Sequence, residues 1–269
     1  MKWTEFLIIP LFAIAILLIV WFDHTHSVKQ EGIGGEVKTS DIPDFRSYTN
    51  VKEKKNDFFN FMLPMIRRAN DQVLSDRAFV LGLVDENKDF ENDTLAALFK
   101  RYRQKTSSPV SREQIDQLLV RIDIVPASLI LAQSANESAW GTSRFAVEAN
   151  NYFGIWCFES GCGLKPKQRD EGLIHEVAKY ANVQDGVNRY MKTINSHPAY
   201  KKLRRIRQES RSLGQQPTGL ALAEGLLQYS ERGQAYVHEI QAMISFNKLH
   251  EYNRKNDLAG FSVESLAVE

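Results

Sequence analysis

The chain has 269 residues, 43% of them hydrophobic, with 34 Lys and Arg set against 33 Asp and Glu. That length accommodates one fair-sized domain plus accessory segments. The near balance of charge argues against a nucleic-acid-binding protein, and the apolar content excludes a disordered chain.

Residues 6–22, FLIIPLFAIAILLIVWF, carry no charge and sit at the short end of what spans a bilayer. Trp3 and Trp21 flank the run as interfacial aromatics would. Lys2 precedes it and Asp23 follows, which favours the N-terminus inside and the body outside. No small-x-small cleavage site follows Phe22, so residues 1–22 read as an uncleaved anchor in the inner membrane before a cleaved signal. Either reading exports the body. Residues 23–50 are polar, contain Gly32, Gly34, Gly35 and Pro43, and read as a flexible tether.

From Val51 the pattern turns helical, and residues 51–122 read as a helical extension without a catalytic cluster. Phe58, Phe59, Met62, Leu63, Ile66 and Ala69 recur at spacings of three and four. Pro64 inside this run predicts a kink or break near Met62, with helix resuming from Val73 to Leu83. Asp93 opens a further helix, and Ser111-Arg112-Glu113-Gln114 reads as the start of another.

Residues 123–250 form the expected main domain. Pro126 opens a helix of small and apolar residues, and Gly141 stops it. Glu137 lies within its last turn. Gln133 precedes it by one turn of the same face, and Trp140 follows. The negative end of the helix dipole and partial burial beside Trp140 both disfavour a carboxylate there and raise its pKa. A Glu kept protonated near neutrality suits a glycosidase general acid. The plainer alternative is an ordinary terminal Glu paired with Arg144.

An aromatic–glycine block, Asn151-Tyr152-Phe153-Gly154-Ile155-Trp156, comes next. Its rings could stack on sugar faces and its amide could bond sugar hydroxyl groups. Tyr152, Phe153, Trp156, Trp140 and Asn151 are therefore candidate substrate-binding residues, with Phe153 equally suited to the core. Cys157 and Cys162, the sole cysteines, either close a small disulfide loop in an oxidising compartment or remain two thiols. No further Cys or spaced His pair accompanies them, so neither a metal site nor any cofactor is expected. Leu164 to Arg169 and Leu173 to Ala181 read as strand, turn, strand. Helices are expected over residues 183–196, 217–229 and 234–249, and residues 251–269 form a loose tail. The basic run Lys201 to Arg207 reads as a solvated helix face before an anion-binding one.

The segment Ala132 to Gly141, AQSANESAWG, resembles the A-x-x-A-x-E-S-x-W-G signature of glycoside hydrolase family 73, and Asn151 to Ile155 is similar to that family's N-L-F-G-I. Residues 121–129 and 227–233 resemble the Bax-type branch found in Gram-negative bacteria. The resemblance implies an α+β, predominantly helical, lysozyme-like domain with a small β-hairpin lobe. It also implies an endo-β-N-acetylglucosaminidase acting on peptidoglycan glycan strands in the periplasm. On it, Glu137 matches the catalytic acid and Tyr229 the active-site tyrosine. The family often carries a second acid on a hairpin. Here the first hairpin strand has none, which leaves Glu176 first, then Glu171 and Glu159. Alternatively the acetamido oxygen of the substrate attacks, with no protein base. The rival functions are a lytic transglycosylase or muramidase on a related fold, and a catalytically idle murein-binding module.

Overall fold

The computed structural model describes residues 42–85, 90–167, 172 and 174–253. The expected anchor, residues 23–41 of the tether, the tail from 254 and Glu171 lie outside them. Among the described residues no helix is long and apolar enough to cross a membrane. The architecture is predominantly helical with one small antiparallel sheet, an α+β arrangement.

Helix α1 (Val51–Asp85) runs unbroken for 35 residues through Pro64. An interior proline costs about 3 kcal/mol through its missing N–H and its clash with the preceding turn. Pro64 itself faces solvent, while Met62, Leu63, Met65 and Ile66 around it are all buried. Each such side chain contributes about 1.5–3 kcal/mol, so packing outweighs the proline and no break follows. Part of the expected tether also packs: Phe45 is buried with its ring 5.4 Å from Phe58.

Helix α2 (Asp93–Arg101) starts at Asn92, whose side chain accepts from the amides of Thr94 and Leu95. Helix α3 (Arg112–Arg121) starts at the expected Ser111 with a reciprocal capping box to Gln114. Helix α4 (Ala127–Glu137) is buried from Ala127 to Ala135 and packs against α1 and the C-terminal helices. Pro126 offers it no side-chain cap; instead the Asn253 side chain accepts from the Ser128 amide, 3.0 Å away.

Helix α5 (Arg144–Ala149) follows, then strands β1 (Trp156–Cys157), β2 (Gly163–Leu164) and β3 (Glu176–Ala178). The sheet order is β1-β3-β2, both pairings antiparallel, with Cys157 opposite Glu176 and Leu164 opposite Val177. The expected hairpin is present in shortened form as β2 and β3. The strand at Trp156 was not anticipated, because two residues carry no readable alternation.

Helix α6 spans Val183–Ser196, the expected bounds, with Asn182 as its cap. Helix α7 (Lys201–Ser212) contains the basic run. Helix α8 (Gly219–Ala223) is shorter than the expected 217–229, and α9 (Gln234–Phe246) ends three residues before the expected 249. One continuous core joins Phe58 and Ile66 of α1 to Leu95, Ile115, Leu131, Tyr190 and Ile240. The front helices and the expected main domain therefore share their interior.

Candidate active site

Glu137 is the last residue of α4 and borders an open cleft of about 1170 Å³. The helix ends abruptly there. Ala139 and Trp140 both adopt left-handed backbone, φ 49° and 59°, a conformation costing roughly 1–2 kcal/mol for each non-glycine residue. Ser138 holds the turn: its hydroxyl donates to the Ser134 carbonyl at 2.6 Å and accepts from the Gly141 amide at 2.9 Å. Gly141, φ 75°, comes after the reversal instead of causing it, and a Cβ there would collide with the ring of Phe45.

Burial raises the pKa of Glu137, and the nearby charge of Glu239 adds to the effect. Hydrogen bonds from Tyr236 and Asn136 and the charge of Arg232 work the other way. Trp140 packs against α1. Its ring packs on Phe58 and Phe59, 5.7 and 5.4 Å between centroids, with the Lys55 ammonium 4.8 Å from it. Arg144, the other expected neighbour, donates to the Lys165 carbonyl.

A buried polar chain leads to the acid. The Tyr190 hydroxyl donates to Gln133 Oε1 at 2.6 Å, Gln133 Nε2 donates to the Tyr236 hydroxyl at 2.9 Å, and that hydroxyl bonds the Glu137 carboxylate. Every member thus has a partner, as a buried network requires. Burial pushes the phenols of Tyr190, Tyr200, Tyr229 and Tyr236 upward, and the charge of Glu137 adds to each. Tyr190 and Tyr236 escaped the sequence reading. The available signal was Gln133, a polar residue on an apolar helix that needs a buried partner.

The aromatic–glycine block divides. Gly154 has φ 62°, and a Cβ on it would lie 3.3 Å from Glu137 Oε2, so glycine lets the segment approach the acid. Phe153 borders the cleft while stacking on Tyr190 at 4.3 Å. Trp156 stands on the rim, 49% exposed and stacked on His175 at 4.2 Å, beside the exposed Phe158. Tyr152 instead points into the core toward Phe58 and Phe61. Asn151 is buried as well. Its amide donates to the carbonyls of Ile155 and Ala178, and its oxygen accepts from the amides of Phe153 and Ile155. Trp140, Tyr152 and Asn151 therefore lie outside the cleft lining.

Tyr229 is on the cleft wall, with its hydroxyl donating to the Phe153 carbonyl at 2.9 Å and its ring stacked on Tyr236 at 5.4 Å. Cys157 and Cys162 form a disulfide. Glu176 is buried beneath that loop, where its carboxylate accepts from the amides of Gly161 and Gly163 at 3.3 and 2.8 Å. It does not line the cleft, whereas Glu159, carried by the same loop, does. The two sulfurs and Glu176 lie within 4.8 Å of one another, but bonding between the sulfurs removes the thiolates a metal would need.

Residues 112–249 match the model of the Glucosaminidase family, described as mannosyl-glycoprotein endo-beta-N-acetylglucosaminidase. A curated relative, Protein bax of Escherichia coli (strain K12), is 30% identical over 224 residues, covering 82% of this chain and 80% of the relative. No solved structure matches the chain.

Proposed function

The chain belongs to the glucosaminidase family, as a protein of the Bax type, and from that premise we propose that it hydrolyses peptidoglycan glycan strands as an endo-β-N-acetylglucosaminidase. The observation that carries this reading is Glu137, at the end of a buried helix, bordering an open cleft, with its charged form disfavoured by burial. Protonated, it delivers a proton to the glycosidic oxygen as the bond to the anomeric carbon breaks. Tyr236 orients the carboxyl group and donates a hydrogen bond to the carboxylate once the proton has left. Tyr229 holds the Phe153 carbonyl and so keeps the Gly154 turn against the acid.

For the second group, Glu159 replaces Glu176. Glu159 borders the cleft, while Glu176 is committed to two loop amides. Glu159 would activate water in an inverting mechanism, and the substrate acetamido oxygen would serve in its place in an assisted one. Residues 6–22 are the proposed anchor in the inner membrane, with the body in the periplasm. The uncharged apolar run supports the first and the disulfide an oxidising compartment.

Mass spectrometry of murein digested by the protein tests the bond cut. The expected product carries an N-acetylglucosamine reducing end. A 1,6-anhydro product would instead identify a lytic transglycosylase. Glu137→Gln is expected to lower the rate by at least about 100-fold, the ordinary contribution of a general acid. Equal clearing of a murein gel by both proteins removes Glu137 from its role, and clearing by neither with murein binding retained identifies a binding module.

A further inference from the structure

One end of the cleft is built from cations. Arg103, Arg189 and His197 line it together with Thr193 and Tyr200. Arg189 and Thr193 come from α6, and His197 follows that helix directly. Arg103 comes from the turn that ends α2, ahead of residue 112 where the family match begins. That turn is specific: Arg103 has left-handed backbone, φ 53°, and the Gln104 amide closes on the Phe99 carbonyl at 2.9 Å. Arg103 and Arg189 are both exposed, and among the described residues neither makes an ion pair.

The cations act on one another. Burial lowers the pKa of Lys192, and the charges of Arg189, Arg103 and Arg101 lower it further. His197 is lowered by burial and then by Arg103 and Arg204. A row of rings connects this end with the acid. His197 is 5.9 Å from Tyr200, Tyr200 is 6.0 Å from Tyr229, and Tyr229 is 5.4 Å from Tyr236, which bonds Glu137. His197, Tyr200 and Tyr229 of this row line the same cleft as Arg103 and Arg189, so a saccharide bound at Glu137 can extend along that wall toward the cations.

We propose that this end of the cleft is an anion subsite that binds a carboxylate of the stem peptide borne by the glycan strand. The chain therefore favours peptide-substituted strands over naked ones. Guanidinium groups suit a carboxylate because their fork of donors matches its two oxygens. This inference rests on the glycan-cleaving reading of the same cleft.

The test is binding to a Glu137→Gln protein, so that turnover does not intervene. The ligands are peptide-bearing glycan fragments, the same fragments with their peptide carboxylates amidated, and peptide-free N-acetylglucosamine oligomers. Arg103→Ala with Arg189→Ala is expected to weaken the first ligand about tenfold and the other two far less. Added salt should weaken only the first ligand on the unsubstituted arginines. Equal loss on all three ligands, no loss on the first, or no glycan binding at all overturns the proposal. Both arginines are exposed, so an unchanged melting temperature should accompany the loss; a lowered one with loss on every ligand counts as overturning. Failure of the wild type to cleave murein, with this selectivity intact, would overturn the proposed activity and leave the subsite standing.

Discussion

Glu137 sits where its charged form is the disfavoured one, and that carries a measurable consequence for stability. Burial and Glu239 lift its pKa above the unfolded value, against the opposing hydrogen bonds and Arg232. Below the unfolded value, about 4.3, the proton is present in both states and nothing is lost. As pH rises through that value the unfolded chain gives up its proton first, so the folded state loses stability until pH passes the folded pKa. Glu137→Gln, which keeps an acceptor for Tyr236 without the charge, is therefore expected to melt higher than wild type at neutral pH. The gain should vanish near pH 4. Equal melting temperatures at pH 7 would show that the site does not resist the charge. Glu137 was legible in the sequence, because one acid among apolar neighbours at a helix end is conspicuous. Its partner was not. Glu176, on an expected strand, was the favoured partner because a strand can aim a side chain into the cleft, but its carboxylate enters the space beneath the disulfide loop instead. Period-two alternation separates two faces without saying what covers either.

Among the elements, α7 departs furthest from its sequence reading. Lys201, Lys202 and Arg205 are solvated as expected, yet Arg204 and Arg207 of the same run are buried. Arg207 donates to the carbonyls of Asp123, Ile124 and Val120 and to Asn195 Oδ1. Its guanidinium is 3.7 Å from the Asp123 carboxylate, which also takes Arg211 at 3.0 Å. Burial alone would push Asp123 upward, but Arg207, Arg211 and Arg77 prevail and hold it below the usual carboxylate range. Asp123→Asn leaves Arg207 charged and unneutralised inside the protein. A loss of about 3–5 kcal/mol in urea unfolding is expected, the ordinary consequence of halving a buried pair. A loss below 1 kcal/mol would mean that the carbonyls alone satisfy Arg207. Basic runs are misread because a charge string looks solvated until the fold supplies carbonyls for it. The α6 bounds were legible for the opposite reason, since its apolar stripe lies within fourteen consecutive residues and its cap directly precedes them.

At the scale of the molecule, the match to the glucosaminidase family begins at residue 112, but the interior begins earlier. Helix α1 packs against α4 and α6, the helices carrying Glu137 and Tyr190. Its buried side chains, at about 1.5–3 kcal/mol each, outweigh the 5–15 kcal/mol by which a domain of this kind is stable. A fragment of residues 112–249 is therefore expected to lack cooperative melting, whereas residues 42–253 should melt in one transition. Cooperative unfolding of the shorter fragment by calorimetry would contradict the shared core. The fragment would also lose Asn253, whose side chain takes the Ser128 amide in the first turn of α4 across 125 positions of chain. That closure gives the protein a built-in order of events in time. While a ribosome still holds residue 253, the first turn of the helix bearing Glu137 lacks its Asn253 acceptor. The Glu137 end of the cleft therefore reaches its finished form only after nearly the whole described chain has been released to fold.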